Sequence, residues 1–213
     1  MRKILKMIRE NSLSIALFTL FAIFLSAQSF AGWHTLNQDL SLHGRTSVGY
    51  WHYVSTGTFW DGLASNWQAA VLQLGSLIVF SSFLYQRGAP HSLDPRKPRK
   101  TPKRRKETWY FRWIYRNSLS MAFLLLFLLS FTLHVFSGAS AYNAQRLLTG
   151  QASISTMTFL LSARFWSSTL QTWQAEYLVI SLYVVLTIFL RQEYSPESKP
   201  TEASHKETGE ANK

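Results

Sequence analysis

The chain has 213 residues, 47% of them hydrophobic, and a formal net charge of +11. It contains no cysteine, which excludes disulfide frameworks, thiol redox chemistry, thiolate metal sites and iron–sulfur clusters. Its basic residues sit beside long apolar runs, a pattern that points to anionic lipid rather than nucleic acid.

The first apolar run extends from Ser12 to Gly32, with no Asp, Glu, Lys or Arg between Asn11 and Gln38. About 20 such residues cross the hydrocarbon as a helix, so this run is predicted to span a membrane. Its basic start and the Ser29-Phe30-Ala31 triplet also resemble a cleavable secretory signal. The second run covers Trp67 to Tyr85. The third covers Asn117 to Gly138 and holds one ionisable residue, His134. The fourth covers Leu170 to Leu190 and holds Glu176. None of the four alternates with period two, which argues against a barrel.

The second half of the sequence repeats the first at an offset of 106. Asn11-Ser12-Leu13-Ser14 returns as Asn117-Ser118-Leu119-Ser120, Asn37 as Asn143, Gly44 as Gly150, and Phe59-Trp60 as Phe165-Trp166. Roughly 25 identities fall in about 82 aligned positions, where unrelated sequence would give about five, so the chain reads as an internal duplication. The third run mirrors the first and cannot be a signal, which favours a retained span for the first as well.

The spans divide the chain into a first two-span repeat (1–87), a basic linker (88–107), a second two-span repeat (108–193) and a polar tail (194–213). The linker and the tail cannot bury a core and are predicted to be disordered. Nineteen Lys and Arg residues lie before the first span, between the second and third (Arg87 to Arg116) or after the fourth, against three (Arg45, Arg146 and Arg164) in the other two loops. This bias places both termini and the linker in the cytoplasm. The two hairpins are then parallel copies about an axis along the membrane normal. The linker would lie on anionic lipid, and Trp109, Tyr110, Trp113 and Tyr115 after it fit an aromatic belt.

Each outer loop ends in an aromatic helical pattern: Trp60, Leu63, Ala64 and Trp67, and then Trp166, Thr169, Leu170 and Trp173. These read as short interfacial helices leading into the second and fourth spans, capped by Thr56 or Ser162, with Gly44 and Gly150 at turns. A second reading of the aromatics is a box for a cationic ligand.

Ionisable residues inside spans nominate sites. His134 and Glu176 lie at similar depth, so the two could pair. Ser130, His134 and Gly138 share one face of the third span, and Glu176, Tyr183 and Thr187 share one face of the fourth. Together with Gln28, the counterpart of His134, the residues His134, Glu176 and Tyr183 form a candidate polar intramembrane site. Ala70 is the counterpart of Glu176 in the other repeat, so any such site is asymmetric. The competing reading is structural, with both residues bonded within the bundle or reaching for the interface. The spacing of His34, His43 and His52 is not a metal-ligand pattern, haem ligation would need a second histidine in the bundle, and no nucleophile or nucleotide motif is present. No cofactor or metal is assigned, and an enzyme is disfavoured.

Asn117-Ser118-Leu119-Ser120, Tyr142-Asn143, Phe165-Trp166, Trp173-Gln174-Ala175-Glu176-Tyr177-Leu178 and the ending Phe189-Leu190-Arg191-Gln192-Glu193-Tyr194-Ser195-Pro196-Glu197-Ser198-Lys199-Pro200 resemble a family of bacterial membrane proteins classed as a domain of unknown function. The resemblance spans about Ile8 to Pro200. It implies a bacterial inner membrane and a four-span duplicated fold, and brings no ligand or catalytic residue. The resemblance implies an acidic residue that often follows the Trp in both halves, and Ala70 departs from that pattern. The expected fold is an all-α integral membrane protein with two tandem hairpins. The expected role is structural or interactive, with a small-solute or proton-coupled channel or transporter, assembled as a homo-oligomer, as the alternative.

Overall fold

The computed structural model describes residues 2–97 and 109–209. Those residues form α1 (Arg2–Glu10), α2 (Ser12–Leu42), α3 (Tyr50–Val54), α4 (Gly57–Ser81), α5 (Trp109–Leu148), α6 (Thr156–Leu160) and α7 (Ala163–Phe189), with no strand among them. Four helices, α2, α4, α5 and α7, are long and apolar enough to cross a membrane. Their large apolar side chains point outward: Leu17, Phe18 and Phe24 on α2, Leu125 and Leu129 on α5 and Leu178 on α7 are exposed. Such continuous apolar surface is unfavourable in water and costs nothing against hydrocarbon.

The helices overrun the predicted spans. Gly32 and Gly138 sit inside α2 and α5, which continue to Leu42 and Leu148. Gly44 and Gly150 bring the helices to an end. Both have positive φ, +67° and +72°. Arg45 N donates to Leu40 O and Gly44 N to Ser41 O, while Gln151 N donates to Arg146 O and Gly150 N to Leu147 O. These are two Schellman C-caps, each satisfying carbonyls that the last turn leaves open. The aromatic segments expected as separate short helices are instead the first turns of α4 and α7, continuous with the spans. The short helices α3 and α6 precede them. Ser162 caps α7 as predicted, accepting from Phe165 N at 3.2 Å. Thr56 instead donates to Tyr53 O.

The contacts divide the chain into two compact units. The first comprises the chain up to Gly62 together with Phe136–Thr156, and the second Leu63–Val135 together with the chain from Met157. In the first unit α3 packs on α2. The Ser29 and Tyr50 hydroxyls lie 2.8 Å apart, Tyr50 stacks on Phe30, and Trp33 Nε1 donates to Val48 O at 2.8 Å. Asn37 then grips Val48 by both ends: its Nδ2 donates to Val48 O (3.1 Å) and its Oδ1 accepts from Val48 N (2.7 Å). Asn143 does the same to Ile154, at 2.9 Å for both bonds. Gly32 lies where a Cβ would overlap the Tyr53 hydroxyl, and a Cβ at Gly57 would fall 2.5 Å from Ser140.

In the second unit α4, α5 and α7 bury Ala64, Gln68, Phe165 and Thr169. Gly75 of α4 lets α5 come close, with Phe123 Cβ 3.2 Å from where its own Cβ would be. Beyond α7, residues 195–209 carry no helix. They make turns at Ser195–Ser198, Pro200–Ala203 and Ser204–Glu207. The basic stretch 98–108 and the end of the tail, 210–213, lie outside the described residues.

Candidate functional site

His134, Glu176 and Tyr183 all fall in the second unit, and Gln28 in the first. His134 is buried, and its ring lies 5.0 Å from that of Phe165, which itself meets Phe131 and Phe159. The imidazole therefore sits among aromatic rings. Ser130, one turn before it, spends its hydroxyl on Leu126 O (2.8 Å) and Phe127 O (3.1 Å) of its own helix. Half of the polar stripe expected on α5 is thus satisfied locally.

Glu176 is half-buried. Its backbone carbonyl accepts from Gln73 Nε2 at 3.0 Å. No ion pair between its carboxylate and His134 is found among the described residues. Gln28 is exposed on α2, and its Nε2 lies 3.5 Å from where a Cβ would stand at Gly62.

The polar groups of the second unit are drawn together along α4 and α7. Gln68 is fully buried; its Oε1 accepts from Trp173 Nε1 at 2.7 Å and its Nε2 donates to Ser65 O at 3.0 Å. Gln73 follows with its bond to Glu176 O, and then the Ser76 and Tyr177 hydroxyls lie 2.5 Å apart. Gln68, Gln73 and Ser76 advance along α4 as Trp173, Glu176 and Tyr177 advance along α7. The two helices therefore run in the same direction in this unit. In an apolar medium each such bond removes the cost of an unsatisfied polar group, which is how polar side chains glue membrane helices together. Sequence reasoning missed Gln68, Gln73 and Ser76. The sequence shows Trp67-Gln68 and Trp173-Gln174 only as a repeated identity, and Trp173 reads there as part of an interfacial aromatic pattern.

Tyr183 points elsewhere. Its hydroxyl donates to Glu197 Oε2 at 2.8 Å and lies 2.6 Å from His91 Nε2, and the two rings stack at 5.6 Å. His91 Nε2 is also 3.2 Å from Glu197 Oε2. Neither partner was singled out from the sequence. The available signal was that His91 and Glu197 are 106 positions apart, the offset of the repeat, although both lie beyond its two copies. Beside them a cavity of about 220 Å³ is lined by Leu77 and Phe80 of α4, Leu84 just beyond it, Val184 and Thr187 of α7, and His91. No group of three His, Cys, Asp or Glu arranged to hold a metal ion occurs among the described residues.

A family model described as "Domain of unknown function (DUF6766)" matches residues 4–210, and the chain belongs to that family. No curated protein and no solved structure matches the chain.

Proposed function

Starting from membership of a family without an assigned activity, we propose that this chain is a non-enzymatic multi-pass protein of a bacterial cytoplasmic membrane, with a structural or interaction role at the envelope. Both termini and the basic linker face the cytoplasm in this reading. The two halves are duplicated hairpins in parallel orientation, and exposed Arg96 and Lys97 begin the stretch that lies on anionic lipid. The same-direction pairing of α4 and α7 supports the parallel arrangement.

The observation that carries the structural reading is the hydrogen-bonded seam of Gln68–Trp173, Gln73–Glu176 O and Ser76–Tyr177. It spends polar groups of the spans on holding helices together. The alternative is a proton-coupled transporter, assembled as an oligomer, favoured by the half-buried Glu176 carboxyl inside a span. The protein reconstituted in liposomes enclosing a pH-sensitive dye separates the two. The structural reading expects an imposed pH gradient to decay at the rate of empty liposomes. Decay that is faster, and that Glu176→Gln abolishes, would replace it with the transporter.

A further inference from the structure

The segment that follows α7 turns back onto the segment that follows α4 at three points. Glu197 reaches His91 and Tyr183. Thr208 Oγ1 accepts from Gly88 N at 2.8 Å, and Gly209 N donates to Ala89 O at 3.0 Å. The approach at Gly88 is close enough that a Cβ would fall 2.5 Å from His205 O, and the φ of +86° there also favours glycine.

We propose that residues 195–209 form a strap that clasps residues 86–92 against α7, with His91, Tyr183 and Glu197 as its catch. Donor accounting fixes how the catch works. Tyr183 has one hydroxyl hydrogen, and it goes to Glu197 Oε2. His91 Nε2 faces the phenol oxygen (2.6 Å), the same carboxylate oxygen (3.2 Å) and Glu197 O (3.3 Å). All three are acceptors towards it, so Nε2 carries a hydrogen and donates. Glu197 serves as the ionised acceptor, a role in which hydrogen bonds are strongest.

Two cations shape the strap. The Lys199 ammonium is buried and lies 3.2 Å from each of the carbonyls of Ser204, His205 and Glu207. Arg191 donates to the carbonyls of Ile188, Leu190, Pro200 and Ala203. Glu197 is the strap carboxylate that reaches across. The strap holds the third wall of the apolar cavity, because His91, Ala89, Ser92 and Gln86 line it beside α4 and α7. Releasing the catch frees that wall and opens the cavity to water or to an apolar guest.

The cysteine-free sequence makes the test direct. Ala89, which is buried, is replaced by cysteine in the full-length protein in lipid nanodiscs, and the rate of reaction with a water-soluble maleimide is measured. The thiol is expected to react slowly, and about tenfold or more faster once Glu197→Gln or His91→Phe removes a charge-assisted bond. Tryptophan-fluorescence melting of each variant accompanies the rates, and an unchanged melt assigns the change to the strap alone. Glu197→Gln is isosteric at a largely exposed side chain, so it leaves the helices intact. Equal rates in the parent, Glu197→Gln and His91→Phe proteins would overturn the proposal, as would a parent thiol that reacts as fast as an exposed one.

Discussion

Asn37 and Asn143 each fasten a loop to a helix end by both ends of one side-chain amide. Asn37→Ala or Asn143→Ala leaves the amide and carbonyl of Val48 or Ile154 without these partners and is expected to cost about 1–3 kcal/mol, read from melting in detergent micelles. Asn→Asp keeps the acceptor but turns a carboxylate oxygen towards the Val48 or Ile154 carbonyl, so it should recover little of that loss. Gly44→Ala and Gly150→Ala meet open space, so their cost comes from the left-handed backbone alone, about 1–2 kcal/mol. Tyr53 adds a pH dependence. Burial first, and neighbouring Tyr50 second, push its hydroxyl above the ordinary value of 10.0. The folded chain keeps this proton while the unfolded chain releases it. The stabilisation is therefore complete below pH 10.0 and is lost as the pH rises through the raised folded value. Tyr53→Phe should flatten that alkaline decline. At this scale the sequence revealed the turn glycines, because a repeated Gly after a long apolar run has a plain backbone meaning. The asparagine clamps were visible only as identities, since a bond to a backbone eleven residues away leaves no periodic trace.

Each long helix was foreseen from its apolar run, but not its ends. Hydropathy reports where hydrocarbon would be, whereas a helix continues until a residue supplies a cap, and in α2 and α5 that residue comes well past the apolar stretch. The α4–α7 seam was not foreseen, because Gln and Ser in an apolar run carry no spacing that names their partners. Gln68→Leu and Trp173→Phe should each cost about 1–2 kcal/mol. The double variant should lose little more than the Gln68 single, since one bond is removed twice. Glu176→Ala should leave the melt nearly unchanged, because the seam uses its carbonyl and not its carboxyl. Urea or heat titration of the four proteins in one detergent checks this pattern. Of the polar site nominated from the sequence, Tyr183 belongs to the strap cluster and His134 to an aromatic setting. Depth along a helix can be estimated from sequence, but the direction a side chain faces cannot.

At the scale of the molecule, the repeat, the charge asymmetry and the four long apolar helices support the arrangement proposed above: two parallel hairpins with their basic ends in the cytoplasm. The asymmetry of 19 against 3 basic residues is the driving feature, since moving so many cations across a bilayer is opposed at every step of insertion. The absence of cysteine allows single reporters to be placed at will. The decisive measurement is labelling of Thr46→Cys, Ala152→Cys, Lys97→Cys and Lys206→Cys, one per protein, with a membrane-impermeant maleimide on intact spheroplasts. The account predicts that the first two react at once and the last two only after the membrane is permeabilised. Reaction of Lys97→Cys in intact spheroplasts, or of all four alike, would contradict it.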